Sequence, residues 1–176
     1  MFMAEITFIS NKTKKEVNKY LFVITTAVII WLLQVSVISS FFVFDSTINF
    51  FLLGSIYSGA FLGMLPGTIF GVICSFFTAS TLHDHIFYFS YPLIGLFCGL
   101  FTKNFFSDEL LFYASFSFVL TFMAELLNGL QYNMNNQVNI IQHYLHVSLS
   151  GALLNLLFAP VFYFLMRLIT KKLKLW

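Results

Sequence analysis

Long stretches without a charged residue constrain this chain most. The segment from Leu21 to Ser39 carries no charge, and neither does the longer segment from Ile48 to Thr81. About 20 consecutive apolar residues suffice for a membrane-spanning helix. Only 9% of the residues are charged and 59% are hydrophobic, whereas about a quarter are charged in a soluble domain. We therefore predict a single-domain, all-α integral membrane protein, built from helices rather than barrel strands.

The apolar runs and their polar breaks predict a six-helix bundle. No signal-peptide cleavage site follows the first apolar run, so we expect that run to remain as an anchor. Asp45, Ser46 and Thr47 are residue types that cap helices, and we expect them to precede the second one. A basic leader (1–20) and a basic tail (169–176) flank a transmembrane domain (21–168) with predicted helices at 21–39, 48–64, 67–81, 86–102, 110–130 and 144–168.

The segment 48–81 allows two interpretations. As one straight helix it would be about 50 Å long, against about 30 Å for a hydrocarbon core. As two helices it would turn at Pro66-Gly67, a breaker pair. Basic loops stay cytoplasmic, and only the two-helix interpretation puts all nine basic residues on one side. We therefore predict six spans in the cell membrane with both termini cytoplasmic, and cytoplasmic anchors at Lys103, Arg167, Lys171, Lys172 and Lys174.

Glycines recur at a spacing of four through this segment. This spacing puts small residues on one stripe of a helix, where a second helix can approach closely. We predict packing within the chain, the alternative being a face for another subunit. The predicted packing residues are Gly59, Gly63, Gly67, Gly71, Gly95 and Gly99.

Two polar residues interrupt the last two apolar runs and form a possible intramembrane polar interface. Glu125 lies about 22–24 Å along the fifth helix, where a carboxylate requires a partner, water or protonation. Alternatively it reaches the outer interface beside Asn128 and Gln131. Asn155 is expected to hydrogen-bond between helices, and Pro160 to bend the last helix.

Other chemistry-bearing residues carry weaker signals. His83-Asp84-His85, with His143 and His146, could supply metal ligands, but the helical spacing of zinc motifs is missing and a polar loop is the simpler interpretation. Cys74 and Cys98 are predicted to be buried thiols, and Tyr88 and Tyr91 to be interfacial or lipid-facing. We find no catalytic constellation, basic nucleic-acid patch or cofactor motif, so we predict a non-enzymatic protein without a cofactor, whose first partner is the lipid bilayer.

Three segments resemble the rod shape-determining protein MreD family. They are "TINFFLLGSIYSGAFLGMLPGTIFGVICSFF" from Thr47, "YPLIGLFCGLFTKNFFSDE" (91–109) and "LSGALLNLLFAPVFYFLMRLITKK" (149–172). In their order they match that family's second and third helices, a later glycine pair with its short cytoplasmic loop, and its last helix. Ser75 and Ala79 occupy the part of the third helix where the family often has an aspartate, so no role of that aspartate is carried over.

This resemblance implies a membrane subunit of the cell-elongation machinery that maintains cell shape. Such a subunit binds MreC and helps couple cytoplasmic MreB filaments to peptidoglycan synthesis by RodA and its transpeptidase partner. The alternative is the substrate-binding S component of an energy-coupling-factor vitamin transporter, which is similar in length, helix number and cytoplasmic ends. Those components often dock through an Ala-xxx-Ala pattern in helix 1, whereas helix 1 here has only Ala27.

Overall fold

Six α-helices make up nearly all of the computed structural model, which describes residues 2–36, 46–81, 87–101, 109–136 and 141–175. The predicted all-helical chain is confirmed for these residues. One π-helical turn, Ser58–Leu62, continues the second helix. The helices are α1 (Phe2–Ser36), α2 (Phe50–Tyr57), α3 (Met64–Thr81), α4 (Ser90–Phe101), α5 (Glu109–Asn136) and α6 (Ile141–Lys172).

The helices fall into two length classes. Three contain a segment long and apolar enough to cross a membrane, namely Thr13–Ser36, Leu110–Gln131 and His146–Lys172. The other three apolar helices are shorter, at Phe50–Leu62, Met64–Ser80 and Ser90–Phe101. The apolar segments of α1, α5 and α6 therefore support a membrane location, on the basis of their length and composition.

Successive helices alternate in direction, so the bundle has two ends. At one end, called the Asn49 end, the Asn49 N–H donates to Asn155 Oδ1 at 2.8 Å. There Ser90 at the start of α4 also donates to Asn128 late in α5 at 2.6 Å. At the other end, called the Tyr57 end, Tyr57 Oη and Thr170 Oγ1 lie 2.9 Å apart.

The described basic side chains collect at the Tyr57 end. Lys171 and Lys172 lie in the last turn of α6, directly after the Thr170 that contacts Tyr57. On α1, Gln34 Nε2 donates to the Ile48 carbonyl at the Asn49 end, at 2.8 Å. Lys15 is 19 residues earlier on the same helix, about 28 Å away, and so lies at the Tyr57 end.

Several predicted helix boundaries were wrong. The basic leader is the first part of α1, and α6 extends to Lys172. The Asn-rich stretch, predicted as a loop, is helical up to Asn136. Each residue added to an existing helix gains a backbone hydrogen bond, and Gln131 Nε2 also donates to the Phe87 carbonyl at 3.4 Å. Helix α4 starts at Ser90 rather than 86.

The cap of α2 was also assigned to the wrong residues. The N-cap is Asn49, whose Oδ1 accepts from Leu52 N at 3.1 Å. Ser46 instead donates to the Val147 carbonyl of α6 at 2.8 Å. The cap therefore sits four residues later than the first of the three predicted capping residues, and α2 begins at Phe50 rather than at 48.

Candidate functional site

The turn between α2 and α3 lies at Gly63, not at the predicted Pro66-Gly67. Gly63 has φ +111° and ψ 173°, a conformation that is essentially restricted to glycine. A Cβ at Gly63 would meet nothing within 4 Å, so this glycine serves the turn rather than packing. Pro66 lies in the first turn of α3, where proline is tolerated because no intrahelical donor is lost.

Gly59, Gly67 and Gly95 meet at one point, which we call the glycine junction. A Cβ added at Gly67 would lie 2.6 Å from Gly59 N and 2.8 Å from Gly95 O. A Cβ at Gly95 would collide with the Gly67 carbonyl. Because backbone surrounds all three positions, any side chain larger than hydrogen would force α3, α4 and the π turn apart.

The remaining glycines of the predicted set extend this contact along α3 and α4. A Cβ at Gly71 would lie 2.5 Å from Pro92 N, and one at Gly99 would lie 2.5 Å from Met64 N. Gly54 adds a contact that the spacing of four did not indicate, since its Cβ position is filled by the Phe70 ring of α3. The described glycines at these positions therefore all contact elements of the same chain.

Asn49 is the centre of a buried hydrogen-bond network, which we call the polar junction. Besides capping α2, its Nδ2 donates to Glu125 Oε1 at 3.0 Å and to Tyr91 Oη at 3.3 Å. Its backbone N–H donates to Asn155 Oδ1 at 2.8 Å. One residue at a helix start thus connects α2 with α4 and α5 through its side chain and with α6 through its backbone N–H.

Asn155 and Gln34 complete the polar junction. Asn155 is fully buried, and its Nδ2 donates to Thr121 Oγ1 at 3.0 Å and to the Asn49 carbonyl at 3.4 Å. Gln34 of α1 accepts from Phe50 N at 3.2 Å while donating to the Ile48 carbonyl. The first turn of α2 is therefore connected by hydrogen bonds to α1, α4, α5 and α6.

Glu125 faces this network. Its carboxylate accepts from Asn49, and its Cγ lies 3.8 Å from the position that a Cβ on Gly151 would take. Asn128, one turn later, is paired with Ser90. Glu125 and Asn155, singled out by sequence, are joined through Asn49, which the sequence analysis missed. Asn49 lies immediately before an apolar run, where N-caps occur, and this position could have indicated its role.

A second cluster lies toward the Tyr57 end. Tyr57, Tyr113 and Tyr163 are fully buried, with ring centroids 5.7–6.2 Å apart. Tyr113 Oη donates to the Leu53 carbonyl at 2.9 Å. Arg167 Nη1 donates to Tyr163 Oη at 2.8 Å, and its guanidinium lies 5.5 Å from the Tyr163 ring centroid. This cluster, absent from the predicted sites, connects α2, α5 and α6.

The other predicted positions have mixed outcomes. Tyr88 and Tyr91 are buried, so their predicted lipid-facing placement was wrong, whereas Cys74 and Cys98 are buried as predicted. Cys74 of α3 and both Tyr91 and Cys98 of α4 lie on the inner faces of these helices, which the glycine contacts bring together. No group of three or more metal-ligating side chains occurs among the described residues. Lys103 and His83-Asp84-His85 lie outside the described residues, as does the His143 side chain.

A lateral groove separates α1 from α6. It has a volume of about 550 Å³ and an almost entirely apolar lining that runs from Asn18 to Leu33 on α1 and from Phe158 to Leu173 on α6. Phe50, stacked on Phe162 at 5.8 Å, forms part of its floor. None of the hydrogen-bonding side chains of the polar junction lines this groove.

No family model, curated protein or solved structure matches this chain. Its chemistry therefore has to be inferred from the arrangement itself. The polar junction hydrogen-bonds side chains and helix ends to one another, and the glycine junction brings backbones into contact. Both arrangements hold helices in fixed positions relative to one another.

Proposed function

We propose that this chain is a non-enzymatic membrane subunit of the bacterial cell-elongation complex, similar to rod shape-determining protein MreD. In this role it binds an MreC-like membrane protein. It helps couple cytoplasmic MreB filaments, indirectly, to peptidoglycan synthesis by RodA and its transpeptidase partner. Its function is then to maintain cell shape by holding partners together rather than by catalysing a reaction.

The observation that carries this proposal is the spatial relation between the segments that resemble the MreD family. The first contributes Gly59 and Gly67 to the glycine junction, and the second contributes Gly95. The third contributes Asn155, which is bonded to Asn49 of the first. Residues that are separate in sequence thus form one rigid unit. Ser75, which with Ala79 occupies the part of the third helix where the family often has an aspartate, donates to the Tyr88 carbonyl at 2.6 Å and ties α3 to the start of α4.

The proposal includes six membrane passages in the cell (inner) membrane, with both termini in the cytoplasm. The gathering of the described basic side chains at the Tyr57 end supports this orientation, since cytoplasmic ends are enriched in Lys and Arg. Leu65, just after the Gly63 turn, is 58% exposed at that end. Cys74 and Cys98 are buried, which keeps the background low for cysteine labelling.

Labelling of single added cysteines in intact cells tests this orientation. Leu65→Cys should react only after the membrane is permeabilised, whereas Asn133→Cys, late in α5, should react with an impermeant reagent added from outside. Reaction of Leu65→Cys from outside would overturn the six-span orientation.

Vitamin capture by a transporter S component is the second candidate. This chain is similar to such components in length, helix number and predicted cytoplasmic ends, which favours this candidate. Two observations argue against it. Ala27, the single alanine of predicted helix 1, is fully buried within the chain and does not offer a docking face. Glu125 and Asn155, the two polar residues predicted to form an intramembrane interface, are engaged with Asn49.

Affinity purification in mild detergent separates the two candidates. The tagged full-length chain is recovered from cells at native expression level, and co-purifying proteins and small molecules are identified by mass spectrometry. An unrelated tagged multi-span membrane protein serves as the control. Enrichment of an MreC-like protein or of the RodA synthase is expected. Recovery of a transporter ATPase pair or of a tightly bound vitamin would refute the elongation role.

A further inference from the structure

The groove between α1 and α6 exposes large apolar side chains along its whole length. Leu21, Leu165 and Ile169 are 65%, 56% and 46% exposed. The groove extends over the 16 positions from Asn18 to Leu33, about 23 Å at helical rise. This is most of a hydrocarbon core of about 30 Å, so inside a bilayer the groove is covered by an apolar occupant.

The groove has a volume of about 550 Å³. That volume is in the range of sites for a single small ligand, about 300–1,000 Å³. A flexible hydrocarbon chain fits such a narrow apolar space.

Basic residues continue the groove's lining stripes beyond its Tyr57 end. Lys15 lies three residues before Asn18, the first lining residue of α1, and Lys172 lies three residues after Ile169 of the α6 lining. Residues three apart share a helix face. Lys171 and Lys174 are exposed at the same end but lie off this stripe. Cationic side chains therefore stand where the headgroup of a lipid in the groove would be.

From these three observations we propose that the groove binds an anionic phospholipid from the leaflet at the Tyr57 end. One acyl chain lies between α1 and α6, and the phosphate group contacts Lys15 and Lys172. Apolar burial holds the chain, and two cations close to the headgroup select anionic over zwitterionic lipids. This inference is independent of the proposed role in cell elongation.

Lipid titration followed by native mass spectrometry tests the headgroup contact. The full-length chain is purified in detergent, delipidated, and titrated with phosphatidylglycerol or phosphatidylcholine that carry identical acyl chains. We expect phosphatidylglycerol to bind about 30-fold more tightly, given the attraction of about 1 kcal/mol for each of the two lysines. The double variant Lys15→Gln/Lys172→Gln should lose most of this preference. The matched control Lys171→Gln/Lys174→Gln, with the same charge change, should keep it.

A pair of adjacent substitutions tests the acyl-chain contact. Thr25 and Ile24 are both exposed, but only Thr25 lines the groove. Thr25→Trp should lower the affinity for both lipids severalfold, whereas Ile24→Trp should leave it unchanged. Thermal unfolding of each variant verifies that the fold is retained.

Three outcomes would overturn the proposal. The first is equal binding of the two lipids, and the second is an equal loss in the two double lysine variants, which indicates diffuse attraction. The third is the appearance of a dimer that Thr25→Trp dissociates, because a second copy then covers the groove.

Discussion

The short helices α2 to α4 and the long pair α5 and α6 are held together in different ways. At the glycine junction, α3 and α4 touch through backbone atoms, and a Cβ at Gly95 has no room. Between α5 and α6, side chains do the packing, as in the fully buried Tyr113 and Tyr163 rings at 5.7 Å. Gly151 of α6 has more room than Gly95, because the atom nearest to its added Cβ is the Ser46 Oγ at 3.3 Å, a side-chain hydroxyl rather than backbone.

This difference follows from helix length. A helix of 12 residues such as α4 offers few side-chain positions, and water-driven burial does not act between helices inside a bilayer. Close backbone approach increases the number of van der Waals contacts per residue, which compensates for the short contact length. The 28-residue and 32-residue helices α5 and α6 have enough length to pack through large side chains and polar pairs. Helix length therefore decides which residue types the two regions tolerate.

The largest effect is expected for a methyl group added at the glycine junction. Gly95→Ala should reduce the free energy of unfolding by about 3 kcal/mol, at the upper end for overpacking, because the Gly67 backbone blocks the methyl group. Gly151→Ala, the matched change in α6, should cost no more than about 1 kcal/mol, since a side-chain hydroxyl rather than backbone has to shift and alanine favours a helix. Unfolding of both variants in bicelles measures the difference. Equal stabilities would contradict the contrast between the two regions.

The next effect separates the Gly63 turn from glycine packing. Gly63→Ala should cost about 2 kcal/mol through backbone strain alone, because nothing lies within 4 Å of its added Cβ. Replacement by a D-alanine through chemical ligation should restore stability, since D-residues favour positive φ. If D-alanine destabilises as much as L-alanine, steric crowding rather than φ determines the cost.

A smaller effect is expected at the polar junction. Asn155→Leu should cost about 1.5 kcal/mol, because the Asn49 N–H and Thr121 lose a partner. The exposed Asn18 of α1 provides the control, and Asn18→Leu should change stability by less than about 0.5 kcal/mol. Unfolding measurements on both variants test whether this junction stabilises the bundle. An unchanged stability of Asn155→Leu would mean that the junction is not required for folding.

The smallest effect concerns one hydroxyl at the Tyr57 end. Tyr57→Phe keeps the ring contacts and removes the hydroxyl that hydrogen-bonds to Thr170, so a loss of about 1 kcal/mol is expected. The same change at the half-buried Tyr20 serves as the reference. A loss above about 3 kcal/mol would show that the hydroxyl, rather than ring packing, dominates this cluster.

Sequence patterns predicted the helices well where apolar runs were long, and boundaries poorly where polar residues continued a helix. The Asn-rich stretch after Leu130 looked like a loop because Asn and Gln disfavour the membrane interior. It is helical up to Asn136 because elongation from an existing helix costs little. Conversely, Pro66-Gly67 looked like a turn, although proline is allowed in a first helical turn and Gly63 alone takes the positive φ.

Within the candidate site, sequence singled out residues but not their partners. Glu125 is conspicuous inside an apolar run because a carboxylate is costly within a membrane. Its partner Asn49 lies 76 positions away along the chain. Contacts over such separations depend on how six helices alternate and pack, which composition and spacing do not encode.

The sequence by itself determined the chain's class, its six helices, and part of the two junctions, namely Glu125, Asn155 and the glycines at a spacing of four. Uncharged length and local hydrogen bonding are properties of neighbouring residues, so they can be read locally. Only the tertiary structure decided that Gly63 turns the chain, that Gly59, Gly67 and Gly95 share one contact, and that Asn49 joins Glu125 to Asn155. These facts arise where distant segments meet, because close packing depends on the three-dimensional arrangement of whole helices.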